Sequence, residues 1–296
     1  MRGGAIGDFV LTLPVLTALR AQFPQTHIEV LGYAHIAQLA LAGGLADAVH
    51  SIEARPLAGF FARKGELSTE LSHYFAGFNI IISYLYDPDE IFQTNVARCT
   101  KAQFIAGPHR PNEQLGIHAT EVFLKPLERM AIFGADSTPR LSLKVQPATR
   151  NQIAVHPGSG SERKNWPEAK WVELLESLLA KTSVNLLLVG GEVEGNRLSR
   201  LAASLPTERI QLAQSLPLAE LAHRIQSCQA FIGHDSGISH LAAAVGLPGL
   251  VLWSDTVEAI WRPKSTRMEI VRHPRSLAEL SGAQVVAEVQ KILATL

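Results

Sequence analysis

Short apolar, β-branched runs alternate along this chain with segments whose apolar residues recur at helical spacing, and few folds satisfy that alternation. The runs are His27 to Leu31, Asn79 to Tyr84, Ile153 to His156, Asn185 to Val189, Ala230 to Ile232 and Gly249 to Trp253. Helical patterns cover Leu11 to Phe23, Trp166 to Lys181, Gly195 to Leu205 and Ser215 to Ser227, and a last amphipathic stretch runs from Leu277 to Leu296. Strands joined through helices return parallel to one another, so the pattern predicts an α/β architecture with parallel sheets. A length of 296 residues suits two such cores. Polar residues and Pro147 interrupt the periodicity near the midpoint, which predicts domains over 1–146 and 147–275 with a terminal helix over 276–296. Asn165 and Pro167 are expected to cap and open the helix that follows Trp166.

Composition narrows the function classes. Lys plus Arg and Asp plus Glu each total 27, so no overall field draws the protein to nucleic acid. Cys99 and Cys228 form no CxxC pair, which argues against a disulfide framework or zinc site and fits a reducing compartment. The longest apolar run, Leu241 to Trp253, contains Pro248 and falls short of the roughly 20 residues a membrane span needs. The opening stretch has Arg2 ahead of apolar residues, but Asp8 interrupts it, so a secretory leader is not expected. Glu53 to Ser72, with Arg63 and Lys64 beside Phe60 and Phe61, reads as a solvated segment over a small cluster rather than a membrane patch.

Three motifs carry chemistry. The first is Gly3-Gly4-Ala5-Ile6-Gly7-Asp8, a glycine turn feeding a helix. Glycines let backbone approach a ligand, and the helix start offers free N–H groups. Asp8 has two readings that the local sequence leaves open: a helix cap or a general base. Such a turn normally follows a buried strand, yet only Met1 and Arg2 precede it here. Either the natural product begins upstream, or the first sheet position is empty or filled otherwise.

The second motif, Val155 to Pro167, leads from a strand through a small polar loop to Arg163, Lys164 and a helix, so amides and a cation converge as in a phosphate site. It is not a Walker loop. The third, Ala230 to Pro248, reads as strand, tight turn at Asp235-Ser236-Gly237, and a helix containing His240. Alone, Asp235 or Ser236 reads equally as a cap and His240 as a core histidine. No nucleophile elbow or zincin spacing is present, and the glycine spacing and second strand fit a dinucleotide dehydrogenase poorly.

Taken in order, these motifs resemble glycosyltransferase family 9, the bacterial lipopolysaccharide heptosyltransferase family. The resemblance rests on GAIGDFVLTLPVLTALRAQFPQTHIEVL, HPGSGSERKNWPEAKWVELL and FIGHDSGISHLAAAVGLPGLVLW. It implies a GT-B fold, two Rossmann-like domains facing across a cleft, with the first strand missing here and the final helix crossing back toward the first domain. The family's catalytic aspartate matches Asp8, beside Gly7. Its donor-phosphate lysine matches Lys164, and its small loop residues match Ser159 and Gly160. Its DSG turn and histidine match Asp235, Ser236, Gly237 and His240, and a ribose-facing glutamate matches Glu192 or Glu194. This chain departs from the family at His234, where asparagine is common, and at Ser254-Asp255-Thr256.

The resemblance implies an inverting transfer of a sugar, heptose from ADP-heptose, onto a lipopolysaccharide core or related lipid-linked glycan. No cofactor and no metal are expected, since Lys164 and helix dipoles would offset the diphosphate charge. A cytoplasmic protein touching the inner membrane peripherally is implied in the same way. The rival expectations are a non-catalytic nucleotide-sugar or carbohydrate-binding protein, and a nucleotide-sugar epimerase or hydrolase of the same fold.

Overall fold

The structure is a computed structural model describing residues 1–144, 151–191 and 194–295. The chain divides into two compact units, Met1–Ser137 and Thr138–Leu296. The division falls ahead of the boundary expected at 146–147, which itself lies outside the described residues.

In the first unit, β1 (Glu29–Gly32) pairs in parallel with β2 (Ala48–Ser51), and β3 (Ile80–Ser83) pairs in parallel with β4 (Gln103–Ala106). Met1 and Arg2 link the two pairs. The Arg2 N–H donates to the Leu31 carbonyl at 3.0 Å, the Met1 amine to the Ile82 carbonyl at 2.6 Å, and the Tyr84 N–H to the Met1 carbonyl at 3.0 Å. Met1 and Arg2 thus lie between β1 and β3. Beside them Phe60, Phe75 and Phe92 pack with Leu57, Ile81 and Val96. The span 53–72 is part of that packing: a 3₁₀ turn over Arg55–Phe61 buries Phe60, and Ser68 caps the helix Thr69–Ala76 by accepting from the Leu71 N–H. Arg63 pairs with Asp89 at 3.0 Å.

The helical pattern over Leu11 to Phe23 is the helix Leu13–Gln22, and a separate short helix, Ile6–Val10, precedes it. Pro14 accounts for the break, because its ring has no N–H and would collide with the carbonyl one turn earlier.

The second unit is built on one parallel sheet in the order β10-β9-β8-β5-β6-β7. Its strands are β5 (Gln152–His156), β6 (Asn185–Gly190), β7 (Ile210–Gln214), β8 (Ala230–His234), β9 (Gly249–Leu252) and β10 (Met268–Val271). Strands β5, β8 and β9 are buried along their whole length, which is why they read as unbroken apolar runs and not as alternations. Trp166 and Trp171 meet edge to face at 5.4 Å, and the Trp166 indole N–H donates to the Leu280 carbonyl at 3.0 Å. That bond ties the segment leading into the helix Glu168–Lys181 to the turn ahead of the terminal helix, Gly282–Ala294, whose Val285 and Val289 are buried. The terminal helix starts at Gly282 and not at Leu277, because Ser281 and Gln284 form a reciprocal capping box there. Asn165 does not cap the helix that follows it: that helix begins at Glu168 with Pro167 at the capping position, and the Asn165 side-chain oxygen lies 2.8 Å from the Ser159 hydroxyl.

Candidate functional site

In the first unit the glycine turn brings Asp8 to the third position of a five-residue helix. Its carboxylate accepts from the Ala5 N–H at 2.9 Å and lies 3.5 Å from the buried Arg2 guanidinium, with 32% of the side chain exposed. Gly4 adopts φ +97°, and a Cβ there would stand 2.7 Å from the Asp8 Oδ2, so both the backbone conformation and the space demand glycine. Arg2 also donates to the His109 carbonyl at 2.8 Å, and its guanidinium lies 4.5 Å from the centre of the Phe123 ring. Gly7 sits within the same helix, and its carbonyl accepts from the Leu11 N–H at 2.9 Å. Asp8 therefore braces the turn and still offers carboxylate surface to solvent. The two readings of this residue are compatible.

In the second unit the residues nominated from the last two motifs gather at the carboxyl ends of β5 and β8. Lys164 Nζ donates to Asp235 Oδ2 at 2.7 Å, with Lys164 23% and Asp235 8% exposed. The Thr256 hydroxyl donates to the same carboxylate oxygen. An ammonium carries three donors, so this pair leaves the lysine capacity for an anion. Gly237 begins the helix Gly237–Ala244 with Ser236 at its capping position. Instead of capping, the Ser236 hydroxyl lies 3.2 Å from His156 Nδ1. First-turn amides have no partner within their own helix, and together with the dipole they favour negative charge. His240 is buried in the same helix.

His234 holds the loop that carries Ser159, Gly160 and Lys164. Its Nε2 accepts from the Trp166 N–H at 2.8 Å, so its Nδ1 carries the proton and donates to the Gly158 carbonyl at 3.2 Å. The ring also meets Trp171 edge to face at 5.2 Å. Burial pushes the His234 imidazole down to about 4 and the His156 imidazole down to about 3. Both rings are therefore neutral near pH 7. The sequence singled out His234 only as a departure from the family; its place between the two ends of the loop was not visible. Thr256, Arg2 and His156 are further site residues that sequence reasoning did not nominate.

Within the loop, Ser159 is buried, and its single hydroxyl proton has two acceptors at 2.8 Å, the Ser161 carbonyl and Asn165 Oδ1, while Gly160 is exposed. Glu194 Oε2 accepts from the Gly191 N–H at 3.0 Å. A Cβ on Gly158 would fall 2.3 Å from the Glu194 Cγ, so this glutamate packs directly on the loop. Glu192 lies outside the described residues. Asp87 and Asp89, two positions apart, each have a partner within the chain. Asp87 accepts from the Phe92 and Gln93 N–H groups at 3.1 and 2.9 Å, and Asp89 pairs with Arg63. Among the described residues no three His, Cys, Asp or Glu side chains converge as a metal site, and no helix is long and apolar enough to cross a membrane.

Comparison with known proteins identifies the family and the fold. The family model for glycosyltransferase family 9 (heptosyltransferase) matches residues 126–287. Lipopolysaccharide heptosyltransferase 3 of Escherichia coli is 23% identical, over 97% of this chain and 96% of that protein. Among solved structures, ADP-heptose LPS heptosyltransferase II of E. coli superposes with a TM-score of 0.77 at 16% identity, covering 100% of this chain and 99% of that one. A family 9 glycosyltransferase from Veillonella parvula gives a TM-score of 0.78 at 16% identity, covering 99% and 95%. The fold is the GT-B fold that the motifs implied.

Proposed function

Because the chain belongs to glycosyltransferase family 9 and is a glycosyltransferase, we propose that it moves heptose from ADP-heptose onto a lipopolysaccharide core or related lipid-linked glycan, with inversion and without a metal. The observation that carries the phosphate half of this reading is the Lys164 ammonium, 2.7 Å from Asp235 beside the helix that starts at Gly237. As the donor's glycosidic bond breaks, charge grows on the departing diphosphate. Lys164, the loop amides at 159–160 and the amides at Ser236 and Gly237 offset it, and His240 adds a donor to the same end. Glu194, braced on Gly158, borders the nucleoside end.

Asp8 takes the proton from the attacking acceptor hydroxyl. One in-line displacement, in which the acceptor oxygen bonds to the anomeric carbon as the diphosphate leaves, inverts the configuration. A lipid-linked acceptor brings the protein to the cytoplasmic face of the inner membrane. The test is a transfer assay with ADP-, UDP- and GDP-sugars and a lipid A-core acceptor. Acceptor-dependent release of ADP supports the reading. Donor binding without turnover identifies a binding protein, and conversion of donor alone identifies an epimerase or hydrolase.

A further inference from the structure

His156 is the last residue of β5, opposite Gly233 of β8, and only 4% of it is exposed. Its Nδ1 lies 3.2 Å from the Ser236 hydroxyl, which stands at the capping position of the helix Gly237–Ala244. A serine in that position ordinarily turns its oxygen back onto an amide of the first turn. Ser236 makes no such cap and meets the ring instead. Its backbone is pinned on both sides: the Asp235 N–H donates to the Leu252 carbonyl at 3.3 Å, and the Ser239 N–H donates to the Ser236 carbonyl at 3.2 Å. Forgoing the cap leaves the first-turn amides, and the hydroxyl beside them, for an acceptor from outside the helix.

Counting protons says what the pair offers such an acceptor. A neutral imidazole has one N–H and a serine one O–H, and one of these two protons is used in the bond between them. The other is left over. Burial, with His234 and the Arg197 guanidinium nearby, pushes the His156 imidazole down to about 3, so near pH 7 the ring has no second N–H. When Ser236 donates to Nδ1, the remaining proton is on Nε2. When Nδ1–H donates to the Ser236 oxygen, the remaining proton is that of the hydroxyl, beside the first-turn amides. An anion at the helix start selects the second state, because hydrogen bonds to a charged acceptor are the stronger ones and the dipole favours negative charge there.

Given the donor site proposed above, on which this role rests, we propose that His156 is a positioning residue for a nucleoside diphosphate. Its Nδ1–H donates to the Ser236 oxygen and thereby turns the Ser236 hydroxyl proton onto the phosphate that Lys164 and the first-turn amides hold. His156 acts through Ser236 alone. Truncating either residue removes the same contact, so the two losses do not add.

Calorimetry with ADP on the full chain tests this in Ser236→Ala, His156→Leu, the double variant and His156→Asn, whose amide can place a donor near the Nδ1 position. Ser236→Ala and His156→Leu should each weaken ADP binding about tenfold, the double variant no further, and His156→Asn should recover most of the affinity. Losses that multiply in the double variant would overturn the role. Lys164→Ala is the control for the donor site. A loss there with none in Ser236→Ala overturns the role of the pair alone, whereas full affinity in both overturns the donor site with it. An imidazole 15N spectrum of the unaltered protein depends on no variant folding. With ADP bound, His156 should carry its proton on Nδ1, and a proton on Nε2 would overturn the proposal.

Discussion

The two units answer the same sequence pattern with different degrees of closure. The second has one parallel sheet from β10 to β7, and its site residues are fixed by bonds that cross from strand to strand: His234 to Gly158 and Trp166, and Lys164 to Asp235. The first has two strand pairs joined by two residues, and its site residue sits on a five-residue helix braced by one of them. The lesson is that the residues proposed to hold the anion are fixed by bonds across a sheet, whereas Asp8, the proposed base, is braced locally by the Ala5 N–H and by Arg2.

The largest expected effect lies in the first unit. Asp8→Asn keeps an acceptor for the Ala5 N–H but removes the base, so turnover should fall about 100- to 10,000-fold while donor binding and Tm stay near normal. A cap alone is worth about 1 kcal/mol of stability and would leave turnover close to normal. Core truncations sharpen the contrast. Trp171→Ala and Phe60→Ala should each cost about 3–5 kcal/mol in denaturant unfolding. Only Trp171→Ala, which removes the ring against His234, should also weaken donor binding in calorimetry; the same loss in Phe60→Ala would break the division of labour.

Lys164→Ala should weaken ADP-sugar affinity about 10- to 100-fold, the scale of one or two hydrogen bonds to a charged phosphate, and an unchanged affinity would remove the lysine from the donor site. A smaller effect comes from pH. His156 and His234 titrate lower in the folded protein than in the unfolded chain, so the unfolded chain binds more protons below about 6.5. Their contribution is present in full above that pH and is lost as pH falls from about 6.5 through about 4 and 3. Thermal melts should show Tm falling over that window, with a shallower fall in His234→Gln.

What the sequence shows follows burial. β5, β8 and β9 are covered on both faces, so their apolar runs are unbroken and legible. The strands not anticipated, Ala48–Ser51, Gln103–Ala106, Ile210–Gln214 and Met268–Val271, are all sheet edges with exposed positions, where polar residues hide the pattern. The site divides in the same way. Asp8 and Lys164 lie in local motifs and were nominated from them. The convergence of Lys164 and Thr256 on the Asp235 carboxylate joins positions far apart in the chain, and only the sheet order brings them together. Asn165 shows the opposite failure: its local pattern is that of a cap, and tertiary bonding to Ser159 overrides it.

The central claim is that the two halves serve one displacement at the anomeric carbon. The most direct test follows ADP release from ADP-heptose with and without a lipid A-core acceptor and reads the anomeric configuration of the product by NMR. The account predicts release that requires acceptor, yields the inverted anomer and collapses in Asp8→Asn. Release without acceptor, or a product with retained configuration, would contradict it.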